Sequence, residues 1–211
     1  MIKGELFILS SPAGGGKTTL SNLLLKEIPN LVRITTCTTR KPRKGEKNGV
    51  DYFFLTKEQF EEMIKNDELL EYAIIHGNYY GTPKKLVLEE IEKGNDVLLI
   101  IDVQGMRHIK KKFENLTTVF LIPPSFEELV NRMKKRGDSE EEIKRRLETA
   151  KKELPAWREY DYIVINDIIE KAKERLKWII LSSRLKTKRF SPEVLGDKVL
   201  KSLMNNEENS F

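Results

Sequence analysis

The sequence predicts an α/β protein: a parallel sheet covered by helices, with a small mixed α+β insertion and a helical lid. Three observations carry this. Apolar runs at residues 6–9, 97–101, 119–122 and 162–165 read as strands buried on both faces, and helical patterns separate the last three. Strands that alternate with helices build parallel sheets. A glycine-rich loop joins the first of these strands to a helix, and from residue 33 to 82 the pattern shifts to β-branched and aromatic clusters broken by turn residues.

Each element has its own signal. After the strand at 6–9, Leu20, Leu23, Leu24 and Ile28 are spaced for one helix face. Residues 33–39 and 50–55 read as strands on either side of a basic loop at 40–46. Residues 57–66 form a short amphipathic helix with Phe60, Met63 and Ile64 inward. Residues 70–75 and 79–81 make a hairpin across Gly77-Asn78. Helices follow at 104–112 and at 126–135, the second begun by Ser125 as N-cap. Gly137 breaks that helix, and Asp138 or Ser139 caps a new one. The longest helix is 168–184, with Ile168, Ala172, Leu176 and Ile179 on one face. Trp157 and Trp178 are expected in the core, Cys37, His76 and His108 as structural residues, and 205–211 as a frayed tail.

Composition narrows the class. The chain has 211 residues, a net charge of +5 and a pI of about 9.1, which favours anionic partners, whether nucleotide or nucleic acid. One cysteine, Cys37, rules out an internal disulfide, so a reducing compartment is expected. No signal-peptide layout and no apolar run of membrane-spanning length is present, so the expectation is a soluble cytoplasmic protein with no membrane partner.

The chemistry is concentrated in Ser10-Ser11-Pro12-Ala13-Gly14-Gly15-Gly16-Lys17-Thr18-Thr19, set between strand and helix. That is the context of a phosphate-binding P-loop. Glycines let backbone N–H groups curl around phosphate oxygens, and the helix N-terminus adds partial positive charge. Lys17 is placed for the β- and γ-phosphates and the Thr18 hydroxyl for Mg2+. Ser11 stands where the P-loop pattern has its first glycine. Residues 132–146 hold Arg132, Arg136 and Arg146 about the Gly137 break. Charge alone leaves open a solvated helical hairpin or a lid whose arginines close over phosphates, and the P-loop favours the lid.

Several separated motifs resemble guanylate kinase. They are Thr35-Thr36-Cys37-Thr38-Thr39-Arg40-Lys41-Pro42-Arg43, Gly49-Val50-Asp51-Tyr52, Glu71-Tyr72, Gly77-Asn78-Tyr79-Tyr80-Gly81-Thr82 and Ile101-Asp102-Val103-Gln104-Gly105, together with residues 132–147. The resemblance spans residues 4–185. It implies a P-loop core at 1–32, 84–131 and 147–211, a GMP-binding subdomain at 33–83 and an arginine-bearing lid at 132–146. It implies transfer of the γ-phosphoryl group of ATP to GMP, with Mg2+, and no nucleic-acid partner. Arg40, Arg43, Tyr52 and Tyr80 would hold the GMP phosphate, and Thr36, Glu71, Thr82 and Asp102 would face the guanine. Residues 11–19 and Asn166 would bind ATP, and Lys17, Arg132, Arg136 and Arg146 would be catalytic. Related binding modules keep the fold but lose the P-loop lysine or the lid arginines; both are present here. Ile100 stands where the family usually has an acid, and the turn at Arg136-Gly137-Asp138 is one residue short.

Overall fold

A computed structural model describes residues 2–43, 45–75, 77–113 and 115–190. His76 and the tail at 205–211 lie outside the described residues. In chain order the elements are β1 (Leu6–Ser10), α1 (Lys17–Glu27), β2 (Leu31–Arg33), β3 (Cys37–Thr38), β4 (Phe53–Phe54), α2 (Lys57–Lys65), β5 (Leu69–Ile75) and β6 (Asn78–Pro83). They continue with α3 (Lys84–Glu92), β7 (Asp96–Ile100), α4 (Val103–Lys110), β8 (Leu116–Ile122), α5 (Phe126–Lys135), α6 (Glu140–Glu153), β9 (Tyr162–Ile165) and α7 (Ile169–Ser183).

The main sheet runs β2-β7-β1-β8-β9 and all its pairings are parallel. Alternation along β1 divides the core. Leu6 and Ile8 pack with Val97, Leu99 and Phe120 against Val103, Met106 and Ile109 of α4, while Phe7 and Leu9 pack against Leu20 and Leu24 of α1 and Leu176 and Ile180 of α7. A parallel sheet with both faces covered presents its loops at the carboxyl ends of its strands, where the loop after β1 and the Asp102 cap after β7 both lie.

A second sheet, β4-β3-β6-β5, is built from the insertion. The β5–β6 hairpin turns at Gly77, whose φ of 79° suits glycine. Phe60 of α2 seals this sheet, stacking on Tyr79 at 5.0 Å beside Cys37 and Leu69. Ser125 caps α5 and Ser139 caps α6, each accepting from the backbone N–H three residues on. Gly137 sits between these helices at φ 85°.

Several expectations are corrected. The stretch at 33–39 does not form one strand of the insertion: the chain first pairs Leu31–Arg33 with the edge of the main sheet, then restarts at Cys37 in the second sheet. The strand expected over 50–55 shrinks to Phe53–Phe54, because the chain before it is taken up by tight turns that bond Gly49 to Tyr52 and Asp51 to Lys47. β9 is not buried on both faces: as the edge strand it leaves Ile163 and Ile165 about half exposed. Leu23 falls off the inward stripe of α1, which follows Leu20 and Leu24. Ile168 lies outside α7 as its half-exposed N-cap. Trp178 is 64% exposed on the outer face of α7. Trp157 lies in the 3-10 turn after α6, half exposed under the Arg158 guanidinium at 4.7 Å.

Candidate functional site

The loop after β1 is shaped by its neighbours. Gly16 is the left-handed N-cap of α1, at φ 97°, and a Cβ there would lie 2.3 Å from Asn166 Nδ2. Asn166, buried at the end of β9, donates that amide to the Gly15 carbonyl at 2.8 Å. The structure therefore uses the Asn166 amide to fix the loop. Lys17 Nζ folds back onto the Ser11 carbonyl and lies 3.2 Å from Ser11 Oγ. Ser11 thus replaces the missing glycine with a hydroxyl that points at the lysine. Burial pushes the Lys17 ammonium down to about 8, opposed by the carboxylates of Glu153 and Asp102.

Two cavities meet at this lysine. One, of about 570 Å³, is lined by residues 13–19 together with Arg132, Arg136 and Arg146. It brings these three arginines and Thr18 together at the glycine loop. The arginines are held by local acids: Arg132 by Glu128 at 2.8 Å and by the Asn166 carbonyl at 2.9 Å, Arg136 and Arg146 by Asp138. Arg136 holds the Asp138 carboxyl below its usual range, helped by Arg146 and by Arg43 of the insertion. Arg43 of the insertion thus lies within electrostatic reach of Asp138.

The second cavity, of about 250 Å³, runs from Ser11 and Lys17 past Asp102 to the second sheet, where Thr36, Tyr52, Glu71 and Tyr80 line it. Ala13, Lys17 and Arg146 line both cavities. Glu71 is only 6% exposed and accepts a 2.6 Å hydrogen bond from Thr82 Oγ1. A Cβ on Gly105 would lie 2.6 Å from Glu71 Oε2, so α4 approaches the carboxylate with bare backbone. Burial pushes this carboxyl up to about 7, with nearby Asp102 adding to the rise. Asp102 caps α4 through Gly105 N at 2.8 Å. Thr82 reaches the site through Glu71, since its hydroxyl is engaged there.

Arg40 stands beside the same cavity, its guanidinium 5.3 Å from the Tyr52 ring and in contact with Tyr80. Sequence reading missed Thr149 and Glu153, which line the cavity with Arg146 from one stripe of α6. Their spacing from Arg146 was the available signal. The charge density of the segment masks that stripe in the sequence. Among the described residues, no cluster of three His, Cys, Asp or Glu side chains is placed to hold a metal ion.

This arrangement joins a phosphate-binding loop and three arginines to a neighbouring polar cleft. The guanylate kinase family model matches residues 3–183. A guanylate kinase of Desulfitobacterium hafniense is 46% identical over 187 residues, 88% of this chain and 94% of that protein. Another, from Caldanaerobacter subterraneus subsp. tengcongensis, is 44% identical over 188 residues, 89% and 91% of the two chains. The crystal structure of guanylate kinase from Anaplasma phagocytophilum superposes with a TM-score of 0.75 at 36% identity, covering 89% of each chain. On the match of model, sequence and fold over nearly its whole described length, this chain belongs to the guanylate kinase family.

Proposed function

We propose that this protein transfers the γ-phosphoryl group of ATP to GMP, giving ADP and GDP, with the donor phosphates in the glycine-loop cavity and the acceptor in the Glu71 cleft. The observation that carries the reading is that the two cavities share Lys17, Ala13 and Arg146, so two phosphorylated ligands would meet there. The nucleophile is an acceptor phosphate oxygen, already anionic, so catalysis needs alignment and charge neutralisation and no general base. Residues 11–19 cradle the ATP phosphates, and Asn166 keeps that loop in shape. Lys17 binds the β- and γ-phosphates. Arg132, Arg136 and Arg146 stabilise charge spread over the transferred group.

On the acceptor side, Arg40, Arg43, Tyr52 and Tyr80 hold the GMP phosphate. Glu71 accepts from guanine N1–H and the 2-amino group, steadied by Thr82, with Thr36 and Asp102 at the edge of the base. Thr18, which lines the donor cavity, would hold Mg2+ through its hydroxyl, an oxygen ligand of the kind this hard cation takes beside phosphates. When bound, the metal neutralises phosphate charge. The division of labour is a core at 1–32, 84–131 and 147–211, of which 191–211 lie outside the described residues, an acceptor subdomain at 33–83 and a lid at 132–146. No described helix is long and apolar enough to cross a membrane, and we place the activity in the cytoplasm. Coupled-assay turnover of ATP with a panel of nucleoside monophosphates tests the reading: GMP should be the best acceptor, and those without a guanine should fall well behind it.

A further inference from the structure

The loop that carries Arg40 and Arg43 holds a carboxylate between them. Glu46 takes both terminal nitrogens of Arg40, Nη1 to Oε2 and Nη2 to Oε1, each at 2.9 Å. Glu46 Oε2 also accepts from the Arg43 backbone N–H at 2.6 Å, and Glu46 N donates to the Arg43 carbonyl at 3.0 Å. Arg40 Nη1 makes a further bond to the Lys41 carbonyl at 2.7 Å. The Arg40 and Glu46 side chains are only 16% and 19% exposed. The guanidinium also lies near the rings of Tyr52 and Phe54, at 5.3 and 5.7 Å. Its paired edge is therefore turned inward onto Glu46, which leaves Nε–H and one Nη2–H for other partners.

We propose that Glu46 is a positioning residue for the acceptor phosphate: it locks the Arg40 guanidinium against the Tyr52 ring, so that Arg40 presents its remaining N–H groups beside the Tyr52 and Tyr80 hydroxyls. The proposal rests on the reading of Arg40, Tyr52 and Tyr80 as the GMP phosphate site. A carboxylate beside a phosphate-binding arginine can instead be a stand-in that the phosphate displaces. The geometry favours positioning. The Glu46 carboxylate is tied into the turn by the Arg43 backbone N–H as well as by the ion pair, and a phosphate displacing it would take away that N–H's acceptor. A planar guanidinium held on one edge and one face gains precision in its free N–H directions.

The experiment is steady-state kinetics on Glu46→Gln, Glu46→Asp, Arg40→Ala and the double variant Arg40→Ala/Glu46→Gln. Positioning predicts that Glu46→Gln raises KM for GMP by roughly tenfold, the scale of one charge-assisted hydrogen bond. KM for ATP should stay within about twofold of wild type, showing that the fold persists, and Glu46→Asp should recover part of the loss. In the Arg40→Ala background, Glu46→Gln should no longer raise KM for GMP, because the two residues act as a unit. An unchanged or lowered KM for GMP in Glu46→Gln overturns the proposal, as does an equal rise in both backgrounds. If Arg40→Ala itself leaves KM for GMP unchanged, the phosphate-site reading falls as well.

Discussion

Replacing Glu71 with glutamine should make the protein more stable and less able to use GMP. The carboxyl is buried, takes one hydrogen bond from Thr82 at 2.6 Å and lies near Asp102. Burial, the main cause, raises its pKa from 4.5 to about 7. A buried acid of this kind favours the fold only while protonated. That contribution is complete below the unfolded value and is lost as pH rises through the folded one. The rise converts to roughly 3 kcal/mol. Glu71→Gln, neutral at every pH, should therefore gain up to roughly 3 kcal/mol at pH 8, or about 6–12 °C in Tm. At pH 5 the gain should shrink to below about 1 kcal/mol. Guanine loses at least one charge-assisted hydrogen bond and meets a misplaced donor, so kcat/KM for GMP should fall about 100-fold. An ionisation near pH 7 should also leave the acid limb of kcat/KM, where only the GMP phosphate, near about 6, would remain. Thermal melts at the two pH values and a coupled assay read all of this. A variant less stable than wild type at pH 8, or one with kcat/KM for GMP within about threefold of wild type, refutes the reasoning.

Two further outcomes follow from the geometry. Neutralising Arg132, Arg136 or Arg146 singly should lower kcat far more than it raises KM for GMP, with losses up to about 10³–10⁵-fold in rate, measured by steady-state kinetics. Wild-type kcat in all three variants would make the segment a solvated face. Asp96, at the end of β7 remote from the glycine loop, pairs with Arg184 at 2.8 Å and Arg189 at 3.1 Å while only 1% exposed. Asp96→Ala should cost about 1–3 kcal/mol in a denaturant melt, because it takes a buried acceptor from the Glu5 N–H and from two partly buried arginines, and should leave kinetics at low temperature intact.

The core was legible because burial on both faces writes continuous apolar runs, and β1, β7 and β8 show them plainly. β2 was not, because three residues at a sheet edge carry too little pattern to separate them from the insertion that follows. The tryptophans misled for a related reason: residue type suggests burial, but on α7 the register decides, and Trp178 lies off the stripe of Ala172, Leu176 and Ile180. At the site, the glycine loop could be read from spacing alone. The acceptor cleft could not, since Thr36, Glu71 and Asp102 come from three separate elements, and only the motif resemblance joined them in advance. The partnerships of Asn166 with Gly15 and of Glu46 with Arg40 are products of the folded geometry, invisible in a string of residues.

If the cleft beside Lys17 selects guanine through Glu71, kcat/KM for GMP, IMP and AMP as acceptors, with ATP as donor, should separate by the donors each base offers. IMP keeps N1–H but lacks the 2-amino group, so it should fall roughly ten- to a hundredfold below GMP. AMP offers neither donor at that edge and turns a lone pair toward the carboxylate, so it should trail GMP by about 10⁴-fold or more. That order supports the account; AMP within about tenfold of GMP contradicts it.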